Sequence, residues 1–219
     1  SEKGSELLGG NAEAEFTYRL ANSEELKWLE TISQNISGII EFRSMAKFVE
    51  GGTNERALTQ VKAVDNEYPL IGNVQLVSGK SFKDVFRQPK SAVMESDLAS
   101  RLGIDIGETF SLGLTKFVLR DIIQSSPDDA GTNFGFGPRT IIKSEDLLDS
   151  GLIAPGTLFT AKYRLLIEPF ENLDELRALA KIKFENNGMR WRDARNGAPG
   201  ISEFVNRSVS YTHLRAHET

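Results

Sequence analysis

Apolar and polar side chains alternate with a period of two through Ala14, Phe16, Tyr18 and Leu20, behind Gly9-Gly10, which predicts a strand with one covered face. The period changes over Asn22-Ser23-Glu24-Glu25-Leu26-Lys27-Trp28-Leu29. There Asn22 or Ser23 offers an N-cap oxygen, and two acids stand in the first turn, near the positive end of a helix dipole. Residues Ile39 to Val49 and Ala57 to Val64 read as two strands on either side of the turn Gly51-Gly52-Thr53-Asn54. The first unit is therefore strand, helix, hairpin.

The middle of the chain has a different texture. Ser91 to Met94 predicts a short strand leading into Ser96-Asp97-Leu98-Ala99-Ser100-Arg101-Leu102-Gly103, a brief helix with a capping residue at its start and glycine at its end. Alternating strands follow at Phe110 to Leu114 and Phe117 to Ile123. Ser125 to Asn133 is rich in turn residues and nearly free of apolar ones, so it reads as a loop. The chain returns to a strand at Arg139 to Lys143, a short helix at Glu145 to Asp149 and a closing unit. That unit is a strand at Tyr163 to Glu168, a helix at Leu173 to Phe184 and a strand at Met189 to Arg195. In its helix Leu173, Leu176, Ala180 and Phe184 share one face.

These elements predict an α+β fold. Residues 1–85 and 138–200 are expected to form a mixed α/β lobe from both chain ends, with 86–137 as a smaller, β-rich inserted lobe and 201–208 as the start of a stalk or membrane helix. The last eleven residues, Val209 to Thr219, read as a translated sequencing adapter, so 209–219 is taken as a non-native tail expected to pack against nothing.

Composition narrows the chemistry. Both histidines, His213 and His217, lie in that tail, and the chain has no cysteine. Disulfides, thiolate metal sites, Ser-His-Asp triads and Cys-His pairs are thus excluded from the native part. The formal charge of −5 offers no basic surface for nucleic acid. No stretch approaches the roughly 18 apolar residues of a membrane helix, and the polar start shows no signal peptide, so the visible chain reads as soluble.

Few side chains are left to carry a site. Asp128-Asp129 in a Pro/Gly loop and Asp146 with Asp149 on a short helix read as solvated acids before they read as ion ligands. Gly135-Phe136-Gly137-Pro138 lacks the lysine and hydroxyl of a phosphate loop. Beside it, Phe134 and Phe136 in an exposed loop next to Arg139 form a candidate surface for a partner; the competing reading folds the two rings back as a plug between lobes. Tyr68 and Trp191 read as packed aromatics.

Several segments resemble FtsX-like ABC transporter permeases. They are Leu7-Leu8-Gly9-Gly10-Asn11, Val61-Lys62-Ala63-Val64-Asp65 running to Tyr68-Pro69-Leu70, and Leu98 to Phe110 with its Leu-Gly-Ile-Asp-Ile-Gly-Glu-Thr core. Gly137 to Ile142, Gly151 to Gly156 and Tyr163 to Leu166 extend the likeness. The chain looks like a MacB-type periplasmic core domain, nearest the first such domain of YbbP-like permeases. That resemblance implies a domain of the bacterial inner membrane's periplasmic side, with one membrane helix before Ser1 and another beginning near Ile201 to Arg207. Ser1 and Arg207 would then emerge on the same side. It also implies a separate cytoplasmic ABC ATPase subunit that uses the ATP, no cofactor and no catalytic residue in this domain, and a lipid, hydrophobic molecule or periplasmic protein as partner. A free-standing soluble module that binds a ligand or protein is the alternative, and a carboxylate-dependent enzyme a third reading that lacks a clustered set of acids.

Overall fold

The computed structural model describes residues 10–126, 137–169 and 172–195. In chain order the elements are β1 (Ala12–Thr17), α1 (Ser23–Ile32), β2 (Asn35–Glu50), β3 (Thr53–Val64), β4 (Gln75–Leu76), α2 (Phe82–Val85), β5 (Ser91–Glu95), α3 (Ser96–Leu102), β6 (Thr109–Leu112) and β7 (Thr115–Ser125). Then come β8 (Arg139–Lys143), a 3-10 turn at Ser144–Leu147, β9 (Phe159–Leu166), α4 (Leu173–Phe184), a second 3-10 turn and β10 (Arg190–Asp193). All ten strands join one sheet of order β10-β1-β9-β2-β3-β8-β5-β7-β4, with β6 pairing β2 and β7.

Local chemistry explains the helix ends. The Asn22 side chain accepts the Glu25 amide at 2.8 Å while the Glu25 carboxylate accepts the Asn22 amide at 2.9 Å, a capping box that starts α1. Gly103, at φ 70°, closes α3 in the left-handed conformation, which a glycine adopts at little cost. In α4, Leu173, Ala180 and Phe184 are buried with Leu176 packed beside them, as their spacing predicts.

The first strand departs from its pattern. It ends at Thr17, and Tyr18 turns the chain at φ 63°. Tyr18 and Leu20, predicted to continue the covered face, are exposed instead. The helix expected at Glu145 to Asp149 is a 3-10 turn that starts one residue earlier and ends two earlier, and α2 and β4 had no predicted counterpart.

The described residues pack in three apolar clusters. One apolar cluster joins Phe42, Phe48 and Val61 of the hairpin with Leu98, Phe110 and Phe117. A second gathers Ala14, Phe16 and Leu165 under α1 and α4, with Ala180 and Phe184, and Phe159 touches both clusters. A third, on the opposite face, places Tyr68, Phe82 and Phe86 over Ile39, Val64, Val93 and Ile141. Strand β8 runs parallel to β3 and antiparallel to β5, so β5 and β7 continue the sheet that holds β1, β9 and β2.

Candidate functional site

The two described ends of the chain meet at one edge of the sheet. Strand β1 pairs antiparallel with β10, Ala12 opposite Asp193, and the Ala194 amide donates to the Asn11 carbonyl at 2.9 Å. Two further locks hold this corner. The Asn11 side chain accepts the Ile167 amide at 2.7 Å and donates to the Ile167 carbonyl at 2.5 Å. Gly10 makes this approach possible, because a Cβ there would stand 2.7 Å from the Leu165 carbonyl oxygen. At the other end Asp193, fully buried, accepts from Trp191 Nε1 at 2.9 Å and from the Arg195 amide at 3.0 Å, with Arg177 of α4 at 3.6 Å.

From this corner a line of charge crosses the sheet on the face turned away from α1 and α4. Arg192 on β10 reaches Glu15 on β1 at 3.4 Å, Glu13 on β1 reaches Arg164 on β9 at 3.3 Å, and Lys162 on β9 reaches Glu41 on β2 at 2.9 Å. Every strand boundary from β10 to β2 is thereby bridged by an ion pair, and Lys62 on β3 adds its field at Glu41. Glu13 and Arg164 are each only 2% exposed. Burial pushes the Glu41 carboxyl up, but the charges of Lys162, Lys62 and Arg164 outweigh it and hold the group below the ordinary carboxylate range. Burial likewise lowers Lys162, and Glu41 and Glu13 more than reverse this, so its ammonium is held above the ordinary lysine range. Such charges are costly to strip of water unless paired, and each partner is positioned by its strand register.

The line leads into the β2–β3 hairpin, which pairs along its whole length from Ile39–Val64 to Glu50–Thr53. At about 3.3 Å per residue, β2 extends about 50 Å away from the corner where the described ends meet.

Of the residues proposed from sequence, Phe134, Phe136, Asp128 and Asp129 lie outside the described residues, as do Ser1, Arg207 and the tail. Arg139 opens β8: its amide donates to Glu95 at 2.6 Å, and its guanidinium reaches Glu95 at 3.1 Å and Ser126 at 3.2 Å. Asp146 is buried and meets Lys90 at 3.4 Å. Tyr68 is buried, and Trp191 is half-covered. Among the described residues no group of three potential metal ligands occurs. The corner residues Asn11 and Asp193 and the ion line went unpredicted. A signal for the line was present, since acids alternate with alanine in Ala12-Glu13-Ala14-Glu15 and cations alternate with alanine and tyrosine in Ala161-Lys162-Tyr163-Arg164.

Residues 3–180 match the MacB-like periplasmic core domain. The chain belongs to this family. A stretch of 108 residues, 49% of the chain, is 30% identical to the ABC transporter permease YbbP of Escherichia coli (strain K12), and the matched part spans 13% of that much longer protein. The fold is similar to the extracellular domain of the noncanonic ABC-type transporter YknZ from Gram-positive bacteria, with a TM-score of 0.52 at 11% identity over 84% of this chain and 99% of the other. It is equally similar to the periplasmic region of MacB from Actinobacillus actinomycetemcomitans, with a TM-score of 0.53 at 10% identity over 94% and 95%. The MacB-like core domain thus accounts for the α+β architecture, and it is the extracytoplasmic part of an ABC-type permease. Among the described residues no helix is long and apolar enough to cross a membrane.

Proposed function

We propose that this domain transmits motion driven by a separate cytoplasmic ATPase subunit from the inner membrane to a periplasmic task, the export or extraction of a hydrophobic or lipid-linked substrate. The observation that carries the reading is the meeting of both described ends at one corner, Asn11 hydrogen-bonded to Ala194. Membrane helices attached on both sides would pull on the same edge of the sheet. The ion pairs then tie that edge, strand by strand, to the β2–β3 hairpin, so a displacement of β1 and β10 moves the hairpin with them. The domain itself performs no chemistry and holds no cofactor; ATP is consumed on the other side of the membrane.

The direct test is fractionation of the full-length gene product. It is expected in the membrane fraction, and recovery wholly in the soluble fraction would end the proposal in favour of a free-standing binding module. Transmission is tested in the same full-length protein with its ATPase subunit, by a distance probe on the hairpin turn at Gly51. ATP turnover is expected to displace the probe relative to the membrane, and the breaking of the Glu41–Lys162 pair to reduce that displacement while ATP hydrolysis continues.

A further inference from the structure

Strand β7 changes faces half-way along. Phe117 and Leu119 lie in the first apolar cluster, but further on Ile122 packs against that cluster and Ile123 belongs to the third, on the opposite face. The register shows where the step occurs. Against β5, Ala92 stands opposite Leu119 and Val93 opposite Asp121, so Arg120 is an extra residue, a bulge in a parallel pair. Bulges are rare in parallel pairs, and they re-aim the side chain they carry. The fold needs the inserted residue for the change of face, but it does not need an arginine there.

The Arg120 side chain lines a cavity of about 290 Å³. Its walls come from three described segments: Lys80 before α2 with Asp84 and Val85 in it, Ile106 in the turn between α3 and β6, and Leu119 with Arg120 on β7. Val85 and Leu119 are buried and Ile106 is 54% exposed, so part of the wall is apolar and one of its residues is open to solvent. Arg120 is half-buried and held from one side: its Nε donates to Ser91 Oγ at 3.2 Å, and Ser91 Oγ donates to the Gln88 carbonyl at 2.8 Å. This contact fixes the guanidinium and leaves its two Nη groups to donate elsewhere. Among the described residues no carboxylate pairs with Arg120 or Lys80, and Asp84 is taken by Arg87 at 3.0 Å.

We propose that this cavity binds a small monoanionic carboxylate with a short apolar body, of the class of a medium-chain carboxylic acid. The carboxylate accepts from the open fork of Arg120, Lys80 adds its charge, and the apolar body lies against Val85, Ile106 and Leu119. Size and charge both select this class. The cavity has room for roughly ten non-hydrogen atoms, too few for a two-chain lipid. Lys80 and Arg120 against Asp84 leave one net positive charge, which suits a monoanion better than a phosphate dianion. The cavity takes such a solute whether or not the domain transmits motion.

Octanoate titrated calorimetrically into the intact chain is expected to bind one-to-one, with a dissociation constant of the order of 1 mM or tighter. Octanol, with the same body and no charge, and octylammonium, with the opposite charge, are expected to bind at least about tenfold more weakly. Arg120→Met removes the fork, and Ile106→Glu sets a carboxylate beside it from an exposed position. Each variant is expected to weaken octanoate about tenfold or more, with its folding checked by thermal melting. Should Arg120→Met fail to fold, Ile106→Glu alone decides. No binding of octanoate up to about 20 mM, octanol or octylammonium binding as tightly as octanoate, or indifference to the folded variants overturns the proposal. Tighter binding of octyl phosphate than of octanoate overturns the assignment to a monoanionic carboxylate.

Discussion

Strands β1 and β9 read Ala-Glu-Ala-Glu-Phe-Thr and Phe-Thr-Ala-Lys-Tyr-Arg-Leu-Leu, whereas β5 and β8, further along the same sheet, carry Ala-Val-Met and Thr-Ile-Ile at their centres. Both regions are buried on two faces. In the second, apolar side chains fill both, with Ala92, Met94 and Ile142 in one cluster and Val93 and Ile141 in another. This is what parallel neighbours covered on each side require, and β5 and β8 each have a parallel partner. In the first region one face is apolar beneath two helices, and the opposite face is buried as paired charge. A hydrophobic face tolerates small slips in what covers it, while an ion line is satisfied in a single register. The region that joins the chain ends to the hairpin is thus the one whose strand positions are most strictly specified.

The comparison can be broken most directly at Lys162. Lys162→Ala leaves Glu41 buried without its partner and is expected to cost about 3–5 kcal/mol in urea unfolding, while Lys162→Met with Glu41→Leu should recover most of the loss. A single-variant cost below about 1 kcal/mol would show that the pair does not hold this region. Ile142→Ala, in the apolar region, is expected to cost about 2–5 kcal/mol through the cavity left, with little dependence on salt or pH.

Titration sharpens the contrast further. The folded carboxyl of Glu41 lies below its unfolded value, so its stabilisation is fully present above about pH 4.3 and is lost as pH falls through the folded value. Lys162 lies above its unfolded value, so its share is present below about pH 10.4 and is lost as pH rises through the folded value. The wild-type chain should therefore lose stability at both extremes, and the Met/Leu variant should show shallower limbs in thermal melts across pH. Identical pH profiles would refute this assignment.

Smaller effects belong to the periphery. Asn22→Ala removes a capping box from α1 and is expected to cost about 1 kcal/mol, read as a lowered melting temperature. Val49→Ser, near the hairpin turn where the side chain is 69% exposed, should change stability by no more than about 0.5 kcal/mol. A larger loss there would mean that this face is part of the fold.

The sequence by itself determined the elements that are fixed by near neighbours. The bounds of β8 and α4, a cap at Asn22 or Ser23, the stop at Gly103 and the long hairpin around Gly51-Gly52 were all legible, because period, capping oxygens and glycine conformations act within a few residues. The family was legible too, in the Gly-Gly-Asn start and the Leu98 to Phe110 segment. Only the tertiary structure decided which faces are covered. Glu13 and Glu15 alternate with alanine as water-facing residues do, yet they are buried because Arg164 and Arg192 come alongside from positions about 150 residues or more away in the chain. Tyr18 leaves the strand it was expected to continue, and the antiparallel pairing of β5 with β8 ties a strand from the middle of the chain into the sheet of β1, β9 and β2. The site follows the same division. Asn11 was visible as part of a motif, but its grip on Ile167 and its meeting with Ala194 exist only once β1, β9 and β10 lie side by side, since hydrogen bonds between distant residues leave no local period to read.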